Sequence, residues 1–346
     1  MSSDKGKIRV LVVDDSVVFR ETMARQIAQD PFIEVVAKAS DPYMARDKIL
    51  EFQPDVMTLD VEMPRMSGIE FLKKLIPQYP IPVVVVSAVS SSVFDALKAG
   101  AVDFVTKPDM SSGRGVESFI SELIVKIKIA STAKVAAPKQ NVSTPAVNRK
   151  VGLVKQNCII AIGASTGGTE AIATVLKDFP VNMPGTVIVQ HMPPVFTAMF
   201  AARLNSVCPV EVREAKTGDM ILPGLVLIAP GDYHMRIKPI HNNYMVECFH
   251  GEKVNGHCPS VDVLLHSVAQ HAGKNAIGVI LTGMGNDGAK GLLALRRAAG
   301  QTLGQDESSS VVYGMPKAAF MLGAVQEQLS LNRIARRIYA LVDSRR

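Results

Sequence analysis

The C-terminal half of the chain is organised around the sequence CIIAIGASTGG at residues 158–168. Its first five residues are apolar and predict a buried strand, and the residues that follow it carry apolar side chains at helical spacing. Ser165 is therefore expected on a sharp turn from a strand into a helix. Gly163 and Gly167 lack a Cβ atom, so they allow the backbone to turn tightly. This G-x-S-x-G pattern is typical of a nucleophile elbow, which exposes a serine hydroxyl above the edge of a sheet.

Two other interpretations of this turn remain open from the stretch alone. A glycine-rich turn between a strand and a helix also binds the pyrophosphate of dinucleotides, but such folds usually place an acidic residue at the end of the next strand. The next predicted strand, residues 186–190, is followed by His191 instead, which disfavours a dinucleotide site. The turn can also be purely structural, with an incidental serine.

Length and composition limit the class of protein. A chain of 346 residues predicts two domains. No window approaches 18 uninterrupted apolar residues, so no membrane span is expected, and the N-terminus lacks the apolar core of a signal peptide. The cysteines form no C-x-x-C pair, which argues against a zinc knuckle and favours a reducing, cytoplasmic location. They are Cys158, Cys208, Cys248 and Cys258.

The net charge of +6 is unevenly distributed along the chain. Residues 1–125 carry a net charge of −4, residues 126–156 carry +7 with no acidic residue, and residues 157–346 carry +3. The basic middle segment has no aromatic residue to stack on a base, so it predicts a flexible linker rather than a nucleic-acid surface. The predicted domains are therefore residues 1–125 and 157–346, joined by the basic linker 126–156.

Residues 1–125 alternate between strand-like and helix-like patterns five times. This alternation predicts an α/β fold, a doubly wound parallel sheet of the (βα)5 type, whose ligands bind at the carboxyl ends of the strands. Those ends carry three carboxylates, a hydroxyl and an ammonium group. They belong to Asp14, Asp15, Asp60, Ser87 and Lys107.

Three clustered carboxylates require a counter-charge, and Mg²⁺ prefers oxygen ligands of this kind. Lys107 would supply a second positive charge to a phosphoryl oxygen. Asp60 is then a candidate nucleophile for phosphoryl transfer. A single acidic residue at a strand end is usually just solvated, but the whole set predicts a site.

Residues 7–125 resemble the receiver domain of response regulators. The resemblance is carried by VDDS at 13–16, LDVEMP at 59–64 with Gly68, SA at 87–88 and KP at 107–108. It implies that Asp60 is the phosphoacceptor and that Lys107 contacts the phosphate. It also implies that Mg²⁺ is held by Asp15, Asp60 and the backbone carbonyl of Glu62, with Asp14 acting through water. Ser87 and Phe104 would form the switch pair.

Three residues of the second domain follow predicted parallel strands: Ser165, His191 and Asp287. A serine hydroxyl becomes a good nucleophile when an imidazole takes its proton, and a carboxylate must orient that imidazole. The chain therefore offers a Ser-His-Asp triad at one rim of a mostly parallel doubly wound sheet, with an antiparallel hairpin near residues 235–249. The backbone N–H groups of Thr166 and Met284 are candidates for an oxyanion hole.

The order Ser, His, Asp along the chain differs from the Ser, Asp, His order of α/β-hydrolases, so the elbow predicts shared geometry rather than a shared fold. The other histidines fall in loops, in the hairpin or on a helix, and no metal-ligand spacing recurs among them. We therefore expect no metal or cofactor in the catalytic domain. These histidines are His234, His241, His250, His257, His266 and His271.

Residues 157–325 resemble the catalytic domain of the chemotaxis protein-glutamate methylesterases, the CheB family. The resemblance is carried by IGASTGG at 162–168, QHMP at 190–193, IAPG at 228–231, PSVD at 259–262, LTGMGNDG at 281–288 and GMP at 314–316. It implies the triad Ser165, His191 and Asp287. Cys258 departs from the family pattern, which commonly has arginine there, and Val195 departs from a common glycine.

This resemblance implies an acyl transfer that removes methyl esters from glutamates, and deamidates glutamines, on the cytoplasmic helices of chemoreceptors. The expected phosphodonor is a chemotaxis histidine kinase, and the unphosphorylated receiver is expected to inhibit the catalytic domain. A monomer without nucleic acid or membrane insertion is expected. The alternative is a non-enzymatic response regulator whose second domain binds DNA or protein, although no helix-turn-helix pattern follows the linker.

Overall fold

The structure is a computed structural model that describes residues 6–88, 90–108, 113–135 and 158–344. The chain divides into two compact units, Met1–Val142 and Ser143–Arg346, and each contains its own parallel sheet. Most of the predicted linker, residues 136–156, lies outside the described residues.

The first unit alternates strand and helix, which confirms the predicted α/β class. Its sheet has the strand order β2-β1-β3-β4-β5, with all neighbours parallel. The strands are Ile8–Val13 (β1), Ile33–Ala39 (β2), Val56–Asp60 (β3), Val83–Ser87 (β4) and Asp103–Thr106 (β5). The helices are Val17–Ile27 (α1), Pro42–Phe52 (α2), Gly68–Leu75 (α3), Ser90–Lys98 (α4) and Gly113–Ala130 (α5).

The strand order reverses between β1 and β3, and the crevice at such a switch point is where doubly wound sheets bind ligands. β3 and β4 are buried along their whole length and end in Asp60 and Ser87, which places these two side chains at this rim. Ser16 caps α1 by accepting a hydrogen bond from the backbone of Phe19, so the helix begins directly after the Asp14-Asp15 pair. Local capping therefore fixes the acidic residues at the rim.

The helix α5 continues through Ala130, five residues into the segment that composition assigns to the linker. The reason is burial: Ile127 and Ala130 have no exposed surface. Charge content marks where acidic residues stop, whereas the end of the helix is set by the last apolar side chain that packs on the sheet.

The second unit contains a seven-stranded parallel sheet and a separate antiparallel pair. The order of the large sheet is β14-β13-β12-β6-β7-β9-β8. Its strands are Ile159–Ala164 (β6), Gly185–Gln190 (β7), Glu211–Glu214 (β8), Leu225–Ile228 (β9), Ala276–Ile280 (β12), Gln301–Gln305 (β13) and Glu327–Leu329 (β14). The pair consists of His234–Ile240 (β10) and Asn243–Phe249 (β11), close to the predicted hairpin.

Helices cover this sheet, and those that follow β6, β7 and β12 begin just beyond the predicted catalytic residues. They are Gly168–Lys177 (α6), Phe196–Val207 (α7), Val261–His271 (α8), Ala289–Arg297 (α9), Met315–Met321 (α10) and Leu331–Asp343 (α11), with a short 3₁₀ turn at Gly273–Asn275. The strand order reverses between β6 and β12, so the switch point lies between the strand before Ser165 and the strand before Asp287.

No helix among the described residues combines the length and the apolar content needed to cross a bilayer.

Candidate active site and acidic cluster

Ser165 follows β6 at the turn that the glycine pattern predicts. Its backbone N–H donates to the carbonyl of Thr282 at 3.0 Å, and its carbonyl accepts from Gly168 N at 2.7 Å. Gly167 has a φ of 75°, in the left-handed region that glycine adopts without steric cost. The turn therefore holds Ser165 entirely through backbone contacts, which leave its hydroxyl available.

His191 lies beside Ser165 because β6 and β7 are neighbours in register. Ala164 pairs with Gln190, and His191 N donates to the Ala164 carbonyl at 3.1 Å. Ser165 and His191 are the first residues after β6 and β7, and neighbouring strands lie about 5 Å apart. The side-chain amide of Gln190 donates to both carbonyls, at 2.9 Å to Ser165 and 3.2 Å to His191. One buried side chain thus connects the backbones of the nucleophile and the base.

The imidazole of His191 is joined to Asp287 at the third strand end. His191 Nε2 lies 2.8 Å from Asp287 Oδ2, and only 7% of the His191 side-chain surface is exposed. The other ring nitrogen, Nδ1, is buried and has no hydrogen-bond partner among the described residues. A ring whose Nε2 is occupied by the carboxylate has Nδ1 as its remaining proton acceptor. Catalytic hydrogen bonds are often long before substrate binds, so this Nδ1 is the candidate base for Ser165.

Asp287 is buried and is held by more donors than one carboxylate normally accepts. These donors are His191 Nε2 and Val261 N on Oδ2, and Ser260 Oγ, Asn255 Nδ2 and Asp262 N on Oδ1. The backbone donors belong to the first turn of α8, where the helix dipole also favours an anion. Burial alone would raise the pKa of Asp287, but the hydrogen bond and charge of His191, followed by Asn255 and Ser260, lower it below the ordinary aspartate value. Asp287 is thus a fixed anion that orients the imidazole.

Sequence reasoning missed three residues that support this pair. Asn255 and Ser260 hold Asp287, and the ring of His257 stacks on His191 with centroids 3.7 Å apart and planes 10° from parallel. Ser260 lies within the PSVD stretch that carried the family resemblance, which was the available signal. Nothing in the sequence marks Asn255 or His257 as part of the site beyond their place in a polar loop. Their contacts depend on how that loop folds over the rim.

The two proposed oxyanion donors, Thr166 and Met284, differ in their exposure. Thr166, the residue after Ser165, is buried, whereas 43% of Met284 is exposed. Gly283, just before Met284, passes so close behind the nucleophile that a Cβ atom there would lie 2.7 Å from the Cβ of Ser165. This approach requires glycine and brings the Met284 backbone near the serine. The assignment of Thr166 and Met284 as oxyanion donors stays a prediction.

Val195, one of the two departures from the family pattern, has φ 71° and ψ −46°. A β-branched residue is strained at positive φ, which explains why glycine would suit this position before α7. Cys258, the other departure, is partly buried, and burial raises the pKa of its thiol. Nothing in the structure explains its replacement of arginine.

The Val195→Gly variant should be more stable than the wild type by about 1 kcal/mol, because glycine relieves the strain of positive φ. For a unit of this size the melting temperature should rise by about 2–4 °C, measured by thermal denaturation. Val181→Gly is the matched control, because Val181 is equally exposed but does not have positive φ. A Val195→Gly protein that melts below the wild type would contradict the strain argument.

The acidic residues of the first unit cluster around Lys107. Its Nζ lies 2.8 Å from Asp14 Oδ2 and 2.6 Å from Asp60 Oδ2, and both aspartates are buried. Burial alone would lower the pKa of Lys107, but its hydrogen bonds to Asp14 and Asp60 outweigh burial and raise it. Burial raises the pKa of Asp14, which Lys107 only partly offsets.

The donor set of this cluster fits a magnesium ion. Asp14, Asp15 and Asp60 each offer a carboxylate oxygen, and these atoms lie within 4.8 Å of one another. Three carboxylates against the single ammonium of Lys107 leave an excess of negative charge in a partly buried site. Hard oxygen ligands are those that Mg²⁺ prefers. The backbone N–H of Glu62 donates to Asp60 Oδ1 at 3.1 Å; its carbonyl as a ligand stays a prediction.

One member of the predicted switch pair, Ser87, is connected to the same cluster. Ser87 ends β4 and Phe104 lies in β5, and both side chains are buried. Lys107 N donates to the carbonyl of Ser87 at 3.0 Å, so the strand end that carries Ser87 is tied to the lysine beside Asp60. Their role in switching stays a prediction.

Comparisons with known proteins agree with this two-part architecture. A family model described as CheB methylesterase matches residues 160–338, and one described as response regulator receiver domain matches residues 10–113. The crystal structure of the Thermotoga maritima CheB methylesterase catalytic domain is 36% identical, with a TM-score of 0.53, and covers 54% of this chain and 100% of its own.

Two relatives match along nearly the whole length. Protein-glutamate methylesterase/protein-glutamine glutaminase 2 of Syntrophomonas wolfei is 61% identical over 337 residues, which is 97% of this chain and 98% of the relative. The protein-glutamate methylesterase/protein-glutamine glutaminase of Salmonella choleraesuis is 48% identical over 343 residues, 98% of each chain. Both similarities span the two sheets and the segment between them.

Proposed function

Because this chain belongs to the CheB methylesterase family and carries a response regulator receiver domain, we propose that it demethylates and deamidates chemoreceptors under the control of phosphorylation. The enzyme is a protein-glutamate methylesterase with protein-glutamine glutaminase activity, like the relatives that match its full length. The observation that supports a Ser165-His191-Asp287 triad is the 2.8 Å contact between His191 Nε2 and a buried carboxylate, beside a serine on the neighbouring strand.

In the proposed reaction the Ser165 oxygen attacks the glutamyl carbonyl while His191 Nδ1 takes the hydroxyl proton. Asp287 stabilises the imidazolium through Nε2. The N–H groups of Thr166 and Met284 would bind the oxyanion. His191 then protonates the leaving group, methanol from an ester or ammonia from glutamine. Water, activated by the same nitrogen, attacks the acyl-enzyme and releases glutamate.

We propose Asp60 as the phosphoacceptor in the receiver. Mg²⁺, held by Asp15, Asp60 and the carbonyl of Glu62 with Asp14 acting through water, would neutralise phosphoryl charge. Lys107 contacts the carboxylate of Asp60 in the unphosphorylated receiver. After phosphorylation it would contact the phosphoryl oxygens instead. A chemotaxis histidine kinase is the proposed phosphodonor, and the cytoplasm, where the four free cysteines stay reduced, is the proposed location.

Regulation is proposed to be inhibition of the catalytic unit by the unphosphorylated receiver. Phosphorylation of Asp60 would replace the contact with Lys107 and shift Ser87 and Phe104, which changes the receiver surface. A coupling free energy of about 1–3 kcal/mol is enough to change activity by about 5- to 150-fold. The relatives do not support the non-enzymatic alternative, because those that match nearly the full length of this chain are named as enzymes.

The proposed function is tested by methanol release from methylated receptor membranes. We expect release by the full chain to rise at least about fivefold when a small phosphodonor and Mg²⁺ are added. Asp60→Asn is the control for the phosphoacceptor: it should keep the basal rate and lose the stimulation. Stimulation that persists in Asp60→Asn would exclude Asp60 as the phosphoacceptor, and no methanol release under any condition would exclude the methylesterase.

Removal of residues 1–140 should raise basal methanol release, because the catalytic unit would no longer be inhibited. The expected increase is of the same size as the stimulation by phosphodonor, about 5- to 150-fold, and the fragment should no longer respond to phosphodonor. A fragment that melts cooperatively yet is no faster than the unphosphorylated full chain would argue against inhibition by the receiver.

A further inference from the structure

A tight turn at Val254–His257 lies over the rim of the catalytic unit. The backbones of Val254 and His257 exchange two hydrogen bonds of 3.0 Å, and the central residues Asn255 and Gly256 have φ values of 52° and 83°. Positive φ at both central positions characterises the type I′ turn, for which Asn-Gly is a favoured sequence. The geometry of this exposed turn is therefore specified locally, by its own two central residues.

Asn255 reaches from this turn to the catalytic carboxylate. Its Nδ2 donates to Asp287 Oδ1 at 2.8 Å and to Asp262 Oδ2 at 2.8 Å. Asp262 is itself fixed, because its Oδ1 accepts from Gly291 N at the start of α9. The amide therefore connects the oxygen of Asp287 that does not face His191 to a second, anchored carboxylate, which limits rotation of the Asp287 carboxylate.

His257 reaches from the same turn to the base. Its ring lies parallel to the ring of His191, with centroids 3.7 Å apart. Among the described residues the His191 ring makes one hydrogen bond, from Nε2 to Asp287. One hydrogen bond leaves the ring some freedom to tilt about its bond to Cβ. A flat ring stacked on its face removes this freedom and keeps Nδ1 directed to one side.

We propose that the turn Val254–His257 is a positioning element for the triad, in which Asn255 fixes the carboxylate of Asp287 and His257 fixes the plane of the His191 ring. This inference rests on the proposed function, since it assigns residues to the same reaction. Neither residue exchanges a proton with the substrate. Both act by keeping His191 Nδ1 where it can take the proton of Ser165, so their loss should lower kcat and leave KM nearly unchanged.

The variants are chosen so that the turn itself survives. Asn255→Gly removes the amide while Gly-Gly still suits a type I′ turn. His257→Ala removes the ring, and His257→Phe keeps a flat ring of similar size. Asn242→Gly is the matched control, because Asn242 is an exposed asparagine in the turn of the hairpin β10–β11.

We expect Asn255→Gly to lower kcat for methanol release by about 10- to 100-fold, the effect of losing a hydrogen bond to a charged group. His257→Ala should lower kcat by about three- to tenfold, and His257→Phe should recover most of that loss. KM should stay within about twofold in all variants. The rate at which a phosphonofluoridate modifies Ser165 should follow kcat, because that reaction needs the same base and no receptor.

The measurements are made on the full-length protein, with melting temperatures recorded in parallel. Asn255→Gly and His257→Ala proteins with the kcat of Asn242→Gly would overturn the proposal. So would a His257→Phe protein as slow as His257→Ala, or losses that appear in KM alone. If Ser165→Ala retains turnover, the proposed function fails instead; if Ser165→Ala is inactive while the turn variants are unimpaired, only this inference fails.

Discussion

Ser165→Ala should abolish methanol release, with a loss of kcat of about 10⁶-fold, the size seen when a triad serine is removed from other enzymes. The hydroxyl oxygen forms the acyl-enzyme, and no neighbouring group can take over that bond. The substitution should leave the fold intact, because Ser165 is held through its backbone, by Thr282, Gly168 and Gln190. Activity is measured as methanol release from methylated receptor membranes, and folding by thermal denaturation.

Ser206→Ala is the control for this variant, because Ser206 lies exposed on α7 and its hydroxyl donates to the carbonyl of Arg203 in the same helix. It should retain wild-type turnover. Turnover by Ser165→Ala above about one-thousandth of the wild-type rate would exclude the acyl-enzyme mechanism, whatever the geometry of the rim.

Asp287→Asn should lower kcat by about 10³- to 10⁴-fold. The amide has one acceptor oxygen where the carboxylate has two, and it would turn an N–H group towards donors such as Val261 N or Ser260 Oγ. The imidazole would lose the anion that selects its tautomer. The exposed Asp178 at the end of α6 provides the control, because Asp178→Asn should retain wild-type kcat. An Asp287→Asn protein with near wild-type kcat would remove Asp287 from the triad.

The same substitution should change the dependence of stability on pH. Folding lowers the pKa of Asp287, so its ionised form stabilises the native state. That contribution is complete above the unfolded pKa of about 3.9 and is lost as the pH falls towards the lower folded value. The free energy of unfolding of Asp287→Asn should therefore decline less than that of the wild type between about pH 5 and the acid limit. Equal slopes would show that Asp287 carries no lowered pKa.

The turn that holds Ser165 and the acidic strand ends were predictable because they depend on short-range rules. A buried apolar run ends where the polar residues begin, and Gly167 allows the left-handed backbone that the elbow needs. The strands β13 and β14 were not predicted. Their few residues have no strong apolar pattern; β13 is a strand because it pairs with β12, and β14 because it pairs with β13.

The sequence by itself determined that a hydroxyl, an imidazole and a carboxylate each follow a strand, and that acidic residues and a lysine end the strands of the first sheet. Only the tertiary structure decided that β12, β6 and β7 are adjacent, that His191 meets Asp287 through Nε2, and that a distant turn brings Asn255 and His257 onto that pair. The physical reason is the separation along the chain of the residues that interact. Strand ends and turns follow from neighbours along the chain, whereas contacts between residues as far apart as His191 and Asp287 depend on strand order and register, which no local pattern encodes.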